Sequence, residues 1–174
     1  MAIESERKYI VEPPKSWTDL SHMFDDMIDI LHISQTYLEP KGDEPSERVR
    51  ETISGLGKSN KAIYHLNKKY PIKPGVHEEK EHEISKSEYQ KSLKEGRKDK
   101  CEVKKTRFVF KYEGQVFELD IFKDHLSGLA ILEIELRNIK DEVKLPPFLK
   151  VIKEVTNNKD FNNFSLADKR LHKD

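Results

Sequence analysis

Charged side chains recur two residues apart at several points along this sequence. Residues i and i+2 of a β-strand point to the same face and lie about 6 to 7 Å apart, so each such set would share one face if its segment is extended. The sets are Glu4, Glu6 and Lys8; Arg48 and Arg50; Glu79, Glu81 and Glu83; Lys105 and Arg107; Glu118 and Asp120; and Glu133, Glu135 and Arg137. Spacing of this kind can gather several charges in one place.

The sign of the charge differs from one set to the next. Any antiparallel sheet can turn one charged face to water, so a single set is also explained by ordinary solvated surface. Solvated faces usually mix the two signs, whereas here paired carboxylates lie on some segments and paired cations on others. This segregation favours a site for a polyanion that is bound together with a metal ion.

These residue types could carry out metal-assisted phosphoryl transfer. Magnesium takes oxygen ligands and usually shares them between a few carboxylates and the phosphates of a substrate. The carboxylates that could supply such ligands are Glu4, Glu6, Glu133 and Glu135. Arginine and lysine match the remaining phosphate oxygens and neutralise charge that would repel an attacking water. The candidate cations are Arg48, Arg50, Lys69, Lys105 and Arg107.

Alternating apolar and polar residues predict a chain that consists mostly of strands. Strands are predicted over residues 2–11, 33–38, 48–53, 62–66, 76–84, 105–112, 115–122 and 129–137. A helix is predicted over 16–31, where apolar residues, including Trp17 and Phe24, recur at helical spacing, and another over 85–93. Residues 70–100 could form a lid or a long hairpin followed by a helix. From Pro146 onward, we expect helices or turns that pack against the strands.

The predicted strands have two chemically distinct faces. In segment 105–112, Phe108 and Phe110 lie opposite Lys105 and Arg107. About eight antiparallel strands close into a barrel whose interior can hold one small ligand. We therefore predict an α+β fold, an eight-stranded antiparallel closed β-barrel with flanking helices, in which residues 1–174 form one domain.

The composition limits the partners that this protein is expected to have. Its 32 basic and 32 acidic residues give a formal net charge of zero, so no overall field would draw it to nucleic acid or to an anionic membrane. The single cysteine, Cys101, excludes an intramolecular disulfide and fits a reducing compartment. No stretch approaches the roughly 18 apolar residues of a membrane span, and no signal peptide is evident. We expect a cytoplasmic protein with no nucleic-acid or membrane partner, which could form a homodimer.

Several short runs follow one another in an order that resembles a known family. The first, Glu4-Ser5-Glu6-Arg7-Lys8, has the form ExExK. The others are Gln35-Thr36-Tyr37-Leu38, Glu47-Arg48-Val49-Arg50, Lys105-Thr106-Arg107, Phe117-Glu118-Leu119-Asp120-Ile121-Phe122, Gly128-Leu129, Leu132-Glu133-Ile134-Glu135-Leu136, and Glu154-Val155-Thr156 with Phe161 and Asn163. Over nearly the whole chain, this set resembles the CYTH superfamily, also called triphosphate tunnel metalloenzymes.

The resemblance implies an eight-stranded tunnel that binds magnesium or manganese together with a triphosphate. The implied metal ligands are Glu4, Glu6, Glu133 and Glu135, with Asp120 as a further ligand. The implied phosphate-binding residues are Lys8, Arg48, Arg50, Lys69, Lys105 and Arg107. The implied catalytic group is Glu4, Glu6 and Lys8, assisted by Glu118 or Asp120. The sequence departs from the family's pattern at His77, where arginine is common, and at Asn67-Lys68-Lys69, which stands in place of Thr-x-Lys.

The reaction that this resemblance implies is hydrolysis of the terminal phosphoryl group of a triphosphate, with release of orthophosphate. Residues 35–38 and 128–135 are most similar to compact bacterial tripolyphosphatases, and no inserted segment would hold an RNA end or an organic ring, so inorganic triphosphate is the expected substrate. An adenylate cyclase, or a thiamine or nucleoside triphosphatase, would use the same constellation. A non-catalytic module that binds polyphosphate or nucleotide, and a charged barrel without a site, are the alternatives of another class.

Overall fold

The structure, a computed structural model, describes residues 2–16, 20–21, 23, 25–56 and 60–172. Nine β-strands make up nearly half of this part of the chain. The strands are β1 (Ala2–Val11), β2 (Met27–Tyr37), β3 (Arg48–Ser54), β4 (Ala62–Lys73), β5 (Val76–Ile84), β6 (Val103–Tyr112), β7 (Gln115–Phe122), β8 (Ala130–Leu136) and β9 (Val151–Glu154). The helices are α1 (Lys86–Ser92) and α2 (Asn163–Leu166), with single 3₁₀ turns at Leu93–Glu95, Asp124–Leu126, Lys159–Phe161 and Lys169–His172. None of the helices in this part of the chain has the length and apolar character of a membrane span.

Eight of the strands close into an antiparallel barrel. Neighbouring strands follow the order β5-β4-β3-β2-β6-β7-β8-β1, and β1 pairs back with β5. The closure depends on β1, because its residues 2–5 pair with β5 on one side while its residues 5–11 pair with β8 on the other. The predicted eight-stranded antiparallel barrel with flanking helices is confirmed.

The helix predicted over residues 16–31 is wrong from Met27 onward. Leu20 and Met23 are helical, whereas β2 begins at Met27 and pairs with β3 and β6. Over so short a run, the apolar residues of 27–31 fit a strand as well as a helix. The hydrogen bonds that two neighbouring strands offer decide in favour of the strand. The members of the predicted stripe that lie outside the described residues are Trp17 and Phe24.

The segment that follows Pro146 contains a strand where helices or turns were predicted. Strand β9 pairs with residues 9–11 of β1, on the side where β5 pairs with residues 2–5. The second half of β1 extends past β5 and would otherwise leave its backbone groups on this side without partners. Strand β9 supplies those partners, which explains why this short segment is extended.

Residues 70–100 form the end of a hairpin and a helix, the second of the two arrangements expected. Strand β4 runs to Lys73, well past the predicted end at residue 66, and pairs with β5 along most of its length. Helix α1 begins with a capping box, in which the Glu88 backbone N–H donates to Ser85 Oγ at 3.0 Å and the Ser85 N–H donates to Glu88 Oε2 at 2.8 Å. The helix predicted over residues 85–93 is confirmed.

The main apolar core lies against the outer face of the barrel wall. Side chains alternate along a strand, so the apolar faces of β6, β7 and β8 are opposite their charged faces. The buried members of this core are Tyr9, Val11, Leu20, Met23, Phe108, Phe110, Phe117, Leu119, Ala130, Leu132, Ile134 and Leu149. The chain segments before β2 and before β9 cover this face and leave the charged groups to point inward.

A second apolar cluster closes one end of the barrel. Val103, Phe122 and Ile131 are in phase with the inward-pointing charges two residues away, and they pack with Tyr37 and Leu166. Leu166 belongs to α2, so the C-terminal segment seals this end from within. The polar interior is therefore limited to the remaining length of the barrel.

Replacing Gly75 by alanine should destabilise the barrel. Gly75 lies in the β4–β5 turn at φ +77°, and an added Cβ would be 2.7 Å from Ile139 Cδ1, 2.8 Å from Thr156 Cγ2 and 2.9 Å from the Glu6 carbonyl oxygen. We expect chemical denaturation to show a loss of about 2–4 kcal/mol in unfolding free energy. Gly114→Ala is the matched control, because Gly114 has φ +74° but no atom within 4 Å of the added Cβ. Equal losses in the two variants would contradict the crowding at Gly75.

Candidate active site

Charged residues from seven strands meet around one cavity inside the barrel, which has a volume of about 160 Å³. Its lining consists of Glu4, Glu6, Arg48, Arg50, Lys69, Glu79, Glu81, Arg107, Glu118, Glu133, Glu135 and Asn163. All the site residues predicted from the sequence are in this set except Lys8, Lys105 and Asp120. Strand pairing therefore brings together side chains that are far apart in the sequence.

A second cavity, of about 360 Å³, adjoins the first. The two share Glu6, Arg48, Lys69 and Asn163. The other residues that line the second cavity are Lys8, Tyr37, Pro45, Ser46, Asn67, Pro71, His77, Asn162 and Phe164. The charged interior thus continues into a wider space that also has aromatic and proline side chains on its walls.

Asp120 holds two cations at the buried base of the site. Its Oδ2 accepts hydrogen bonds from Lys105 Nζ at 2.6 Å and from Arg107 Nη2 at 2.9 Å, and its Oδ1 accepts from Arg107 Nε at 2.7 Å. The side chains of Asp120 and Lys105 have no exposed surface. Burial alone would raise the pKa of Asp120, but Arg107 and Lys105 hold it well below its usual range. Both oxygens are engaged, so Asp120 fixes cations beside the cavity without lining it.

Of the cations that line this cavity, Arg48 and Arg50 have no carboxylate partner among the described residues, whereas Lys69 and Arg107 do. Arg48 is only 4% exposed, and the Nε atoms of both residues are buried without an acceptor. Burial, together with the charges of Arg48 and Arg107, lowers the pKa of Arg50 to about 9. Buried cations without counter-charge are costly, and a bound anion would relieve that cost. This wall of the cavity is built to receive an anion.

The opposite wall carries the carboxylates, which are only partly neutralised. Glu4 Oε2 lies 2.8 Å from His77 Nε2 and 3.6 Å from Lys69 Nζ. Lys8 Nζ lies 3.4 Å from Glu6 Oε1 and 3.6 Å from a Glu133 oxygen. The hydrogen bond with His77 lowers the pKa of Glu4. These contacts neutralise part of the negative charge on this wall.

Burial and neighbouring carboxylates raise the pKa of some of the acidic side chains at the site. Burial raises the pKa of Glu135, and the negative charges of Glu4 and Glu6 add to this effect. Burial, followed by the hydrogen bond shared with Glu4, raises the pKa of Glu79 to about 7. Burial also opposes ionisation of Glu6, but Lys8 and Lys69 bring its pKa down to about 2. A positive ion among these side chains would lower the free energy of the ionised forms.

The donor set suits a hard divalent cation, although its side chains are not gathered around one point. Among the described residues, no three or more His, Cys, Asp or Glu side chains are arranged as a metal-binding group. Glu4, Glu6, Glu133 and Glu135 nevertheless line one cavity and offer only oxygen ligands, which magnesium and manganese prefer. Burial, followed by the charges of Glu4 and Glu6, raises the pKa of Glu135, and a divalent cation would oppose both effects. The residues present therefore fit such an ion, and their individual roles as ligands stay predictions.

Several polar and charged residues at the site were not among the predicted ones. Gln35 is fully buried beside Arg50, and Asn67 donates to Glu81 Oε2 at 3.0 Å and also contacts Glu79. His77 contacts Glu4, and Asn163 accepts a hydrogen bond from Lys105 at 3.2 Å. The period of two could have placed Asn67 with Lys69 and His77 with Glu79. Nothing in the local pattern could place Asn163, because it reaches the cavity from a helix. The residues missed by the prediction thus include Gln35, Asn67, His77 and Asn163, together with Glu79 and Glu81, which the sequence grouped on one strand face but did not place at the site.

Replacing Glu79 by glutamine should stabilise the ligand-free protein, more at about pH 8 than at about pH 5. The folded state raises the pKa of Glu79 from 4.5 to about 7, so the folded protein holds this proton more tightly than the unfolded chain does. The contribution of this proton to stability is full below about pH 4.5 and is lost as the pH rises through about 7. Glutamine stays neutral and avoids the loss, so the gain in Tm should grow with pH.

The control for this measurement is Glu83→Gln, which changes an exposed residue of the same strand. Thermal melts of both variants and of the unchanged protein should be recorded at several pH values. A gain in Tm that does not depend on pH, or that is equal in Glu83→Gln, would show that Glu79 does not hold a proton in this way.

Comparison with known proteins supports the same barrel. The crystal structure of the inorganic triphosphatase NE1496 is similar, with 26% sequence identity, a TM-score of 0.57, and coverage of 94% of this chain and 97% of that one. PH1819 from Pyrococcus horikoshii OT3 is 20% identical, with a TM-score of 0.56 and coverage of 78% and 79%. HpAC1 from Hippeastrum, described as a putative adenylyl cyclase with a dominant triphosphatase activity, is 16% identical, with a TM-score of 0.53 and coverage of 78% and 80%.

The sequence comparisons give no match of their own. No family model matches the chain, and no curated protein does. Three observations indicate the same fold. The ordered motifs resemble one family, eight strands form a closed barrel, and the similar solved structures align over most of the chain. The protein therefore has the fold of the CYTH superfamily, the triphosphate tunnel.

Proposed function

We propose that this protein hydrolyses a triphosphate, inorganic triphosphate first, and releases orthophosphate with the help of magnesium or manganese. The observation that carries the proposal is the pair Arg48 and Arg50, whose buried Nε atoms have no acceptor. Neither arginine has a carboxylate partner in the described residues, and both line the same cavity as seven glutamates. A triphosphate bound with a metal ion would interact with both sets of residues, because its oxygens can accept from the arginines and the metal ion can bind the glutamates. The similarity to the inorganic triphosphatase NE1496 supports this choice of substrate.

The cations of the barrel would bind the phosphates from two adjoining cavities. Arg48, Arg50, Lys69 and Arg107 line the cavity and can donate directly to phosphate oxygens. Lys8 lines the adjoining space, where the same chemistry is available. Charge on the phosphates would be neutralised in a site that excludes much of the water, where such interactions are strongest.

Lys105 would act differently from the other cations. Its ammonium has no exposed surface and donates to Asp120 and to Asn163 at 3.2 Å. Asp120 in turn fixes Arg107, whose guanidinium also contacts Glu118 and lies 3.4 Å from Glu133. Lys105 and Asp120 would thus position Arg107 for a phosphate without touching the substrate themselves.

The carboxylates Glu4, Glu6, Glu133 and Glu135 would hold the metal ion. When bound, the ion would polarise the phosphoryl oxygens and favour deprotonation of an attacking water. Glu118 is the carboxylate suited to accept that proton, because it lines the cavity and burial raises its pKa. Asp120, two residues away, is held by Lys105 and Arg107 and would not take part in this transfer.

Replacing Glu6 by glutamine should abolish most of the activity. Glu6 lines both cavities, and its loss removes a charged oxygen from the proposed metal site. We expect phosphate release from inorganic triphosphate to fall by about a hundredfold or more in kcat/KM with magnesium or manganese, and to stop with a chelator. Glu12→Gln, an exposed change just after β1, should leave the rate unchanged. Release that survives either Glu6→Gln or the chelator would refute the proposed metal-dependent reaction.

The wider cavity favours a second candidate, hydrolysis of an organic triphosphate. Tyr37 and Phe164 pack edge to face, with ring centroids 5.1 Å apart, and both line this cavity with Pro45 and Pro71. No inserted aromatic segment was visible in the sequence, but the fold brings these residues together from distant segments. An organic ring attached to the triphosphate could pack against them.

Replacing Phe164 by alanine separates the two substrates. If an organic ring occupies the wider cavity, kcat/KM for ATP should fall by about tenfold while that for inorganic triphosphate stays unchanged. The unchanged rate serves as the check that the variant folds. Product analysis adds the third possibility, because pyrophosphate from ATP would identify a cyclase. Equal effects on both substrates would remove the organic triphosphate from consideration.

A further inference from the structure

A buried amide stands between the barrel wall and one of the arginines of the cavity. Gln35, on β2, has no exposed surface, and its backbone partner on β3 is Arg50. Arg50 Nη2 donates to Gln35 Oε1 at 3.1 Å. Because a guanidinium can only donate, the amide must turn its oxygen to Arg50 and its nitrogen away. In this hydrogen bond, Arg50 is therefore the donor and Gln35 the acceptor.

Three buried donor atoms in this corner have no acceptor. They are Gln35 Nε2, Arg48 Nε and Arg50 Nε, and within the described residues they are the buried side-chain nitrogens and oxygens that lack a hydrogen-bond partner. All three are nitrogens on the adjacent strands β2 and β3. Buried donors without acceptors are unfavourable and are expected mainly where a ligand or water completes them. This corner of the site therefore has more buried hydrogen-bond donors than acceptors.

The partner of Arg50 is neutral, whereas four other cations at the site are paired with carboxylates. Lys8, Lys69, Lys105 and Arg107 each have a carboxylate oxygen within 4 Å. An amide oxygen can orient a guanidinium as a carboxylate does, but it leaves the positive charge uncompensated. A carboxylate at this position would compete with any anion for the same donors.

We propose that Gln35 is a positioning residue: it holds Arg50 in the orientation that binds an anionic phosphate group and, being neutral, keeps the charge of that arginine available to the ligand. This role rests on the proposed binding of a triphosphate. Gln35 acts through Arg50 and does not itself contact the reacting phosphorus. The amide thus sets the affinity of the site for a polyanion, separately from the carboxylates that would hold the metal ion.

Two near-isosteric variants test the two parts of this role. Gln35→Met removes the acceptor for Arg50 and should raise the Kd for inorganic triphosphate, measured by calorimetry with a chelator present, by about tenfold, with KM raised and kcat changed less than twofold. Gln35→Glu keeps an acceptor but pairs with the charge of Arg50, so it should weaken binding by about a hundredfold and raise the Tm of the ligand-free protein. The matched control, Gln90→Glu on the exposed face of α1, should change none of these values.

In Gln35→Glu the affinity for triphosphate should fall while the Tm rises, and this combination distinguishes a positioning role from a purely structural one. If Gln35→Glu lowers both the Tm and the affinity, or if kcat falls while KM stays constant, the inference is wrong. Unchanged affinity in both variants would also overturn it. If the unchanged protein binds triphosphate but releases no phosphate, and both variants still bind it more weakly, then hydrolysis is wrong and the role of Gln35 stands. If the unchanged protein binds no triphosphate, both proposals fail.

Discussion

The carboxylate of Asp120, buried between Lys105 and Arg107, is the interaction that lets this barrel carry charge on its inner wall. It holds Lys105 at 2.6 Å and Arg107 at 2.7 Å, and neither it nor Lys105 has exposed side-chain surface. Charges that are taken out of water are tolerated only where partners replace the lost solvation. With Asp120 in place, three strands can each direct a charge into the barrel, and Arg107 reaches the cavity in a fixed orientation beside Glu118 and Glu133.

Elsewhere in the barrel the charges are not fully neutralised. Positive charge is in excess on one wall and negative charge on another. Arg48 and Arg50 have no carboxylate partner in the described residues, whereas burial and neighbouring carboxylates raise the pKa of Glu135. Each excess costs free energy in the ligand-free protein. An anion with several oxygens and a divalent cation would offset both excesses together. The unfavourable electrostatics of the empty site are thus the physical basis of the proposed affinity for a metal-bound triphosphate.

The charged interior also determines where the apolar residues must go. With one face of β1, β6, β7 and β8 directed to the cavity, the other face of these strands forms the main core, and it is covered by the segments before β2 and before β9. Val103, Phe122 and Leu166 are apolar residues that enter the barrel, and they close one of its ends. That closure brings α2 into the interior, where Asn163 and Phe164 reach the cavities.

The sequence by itself determined the strands and their charged faces, because the alternation of residue types reports directly on a period of two. Strands β1, β5 and β7 have their predicted bounds, and most of the predicted charges line one cavity. Only the tertiary structure decided the strand at Met27, the strand β9 and the neighbours of each charge. Glu118 and Asp120 share a face, yet one reaches the cavity and the other is held between two cations. Such differences depend on residues from distant strands, which no local pattern records.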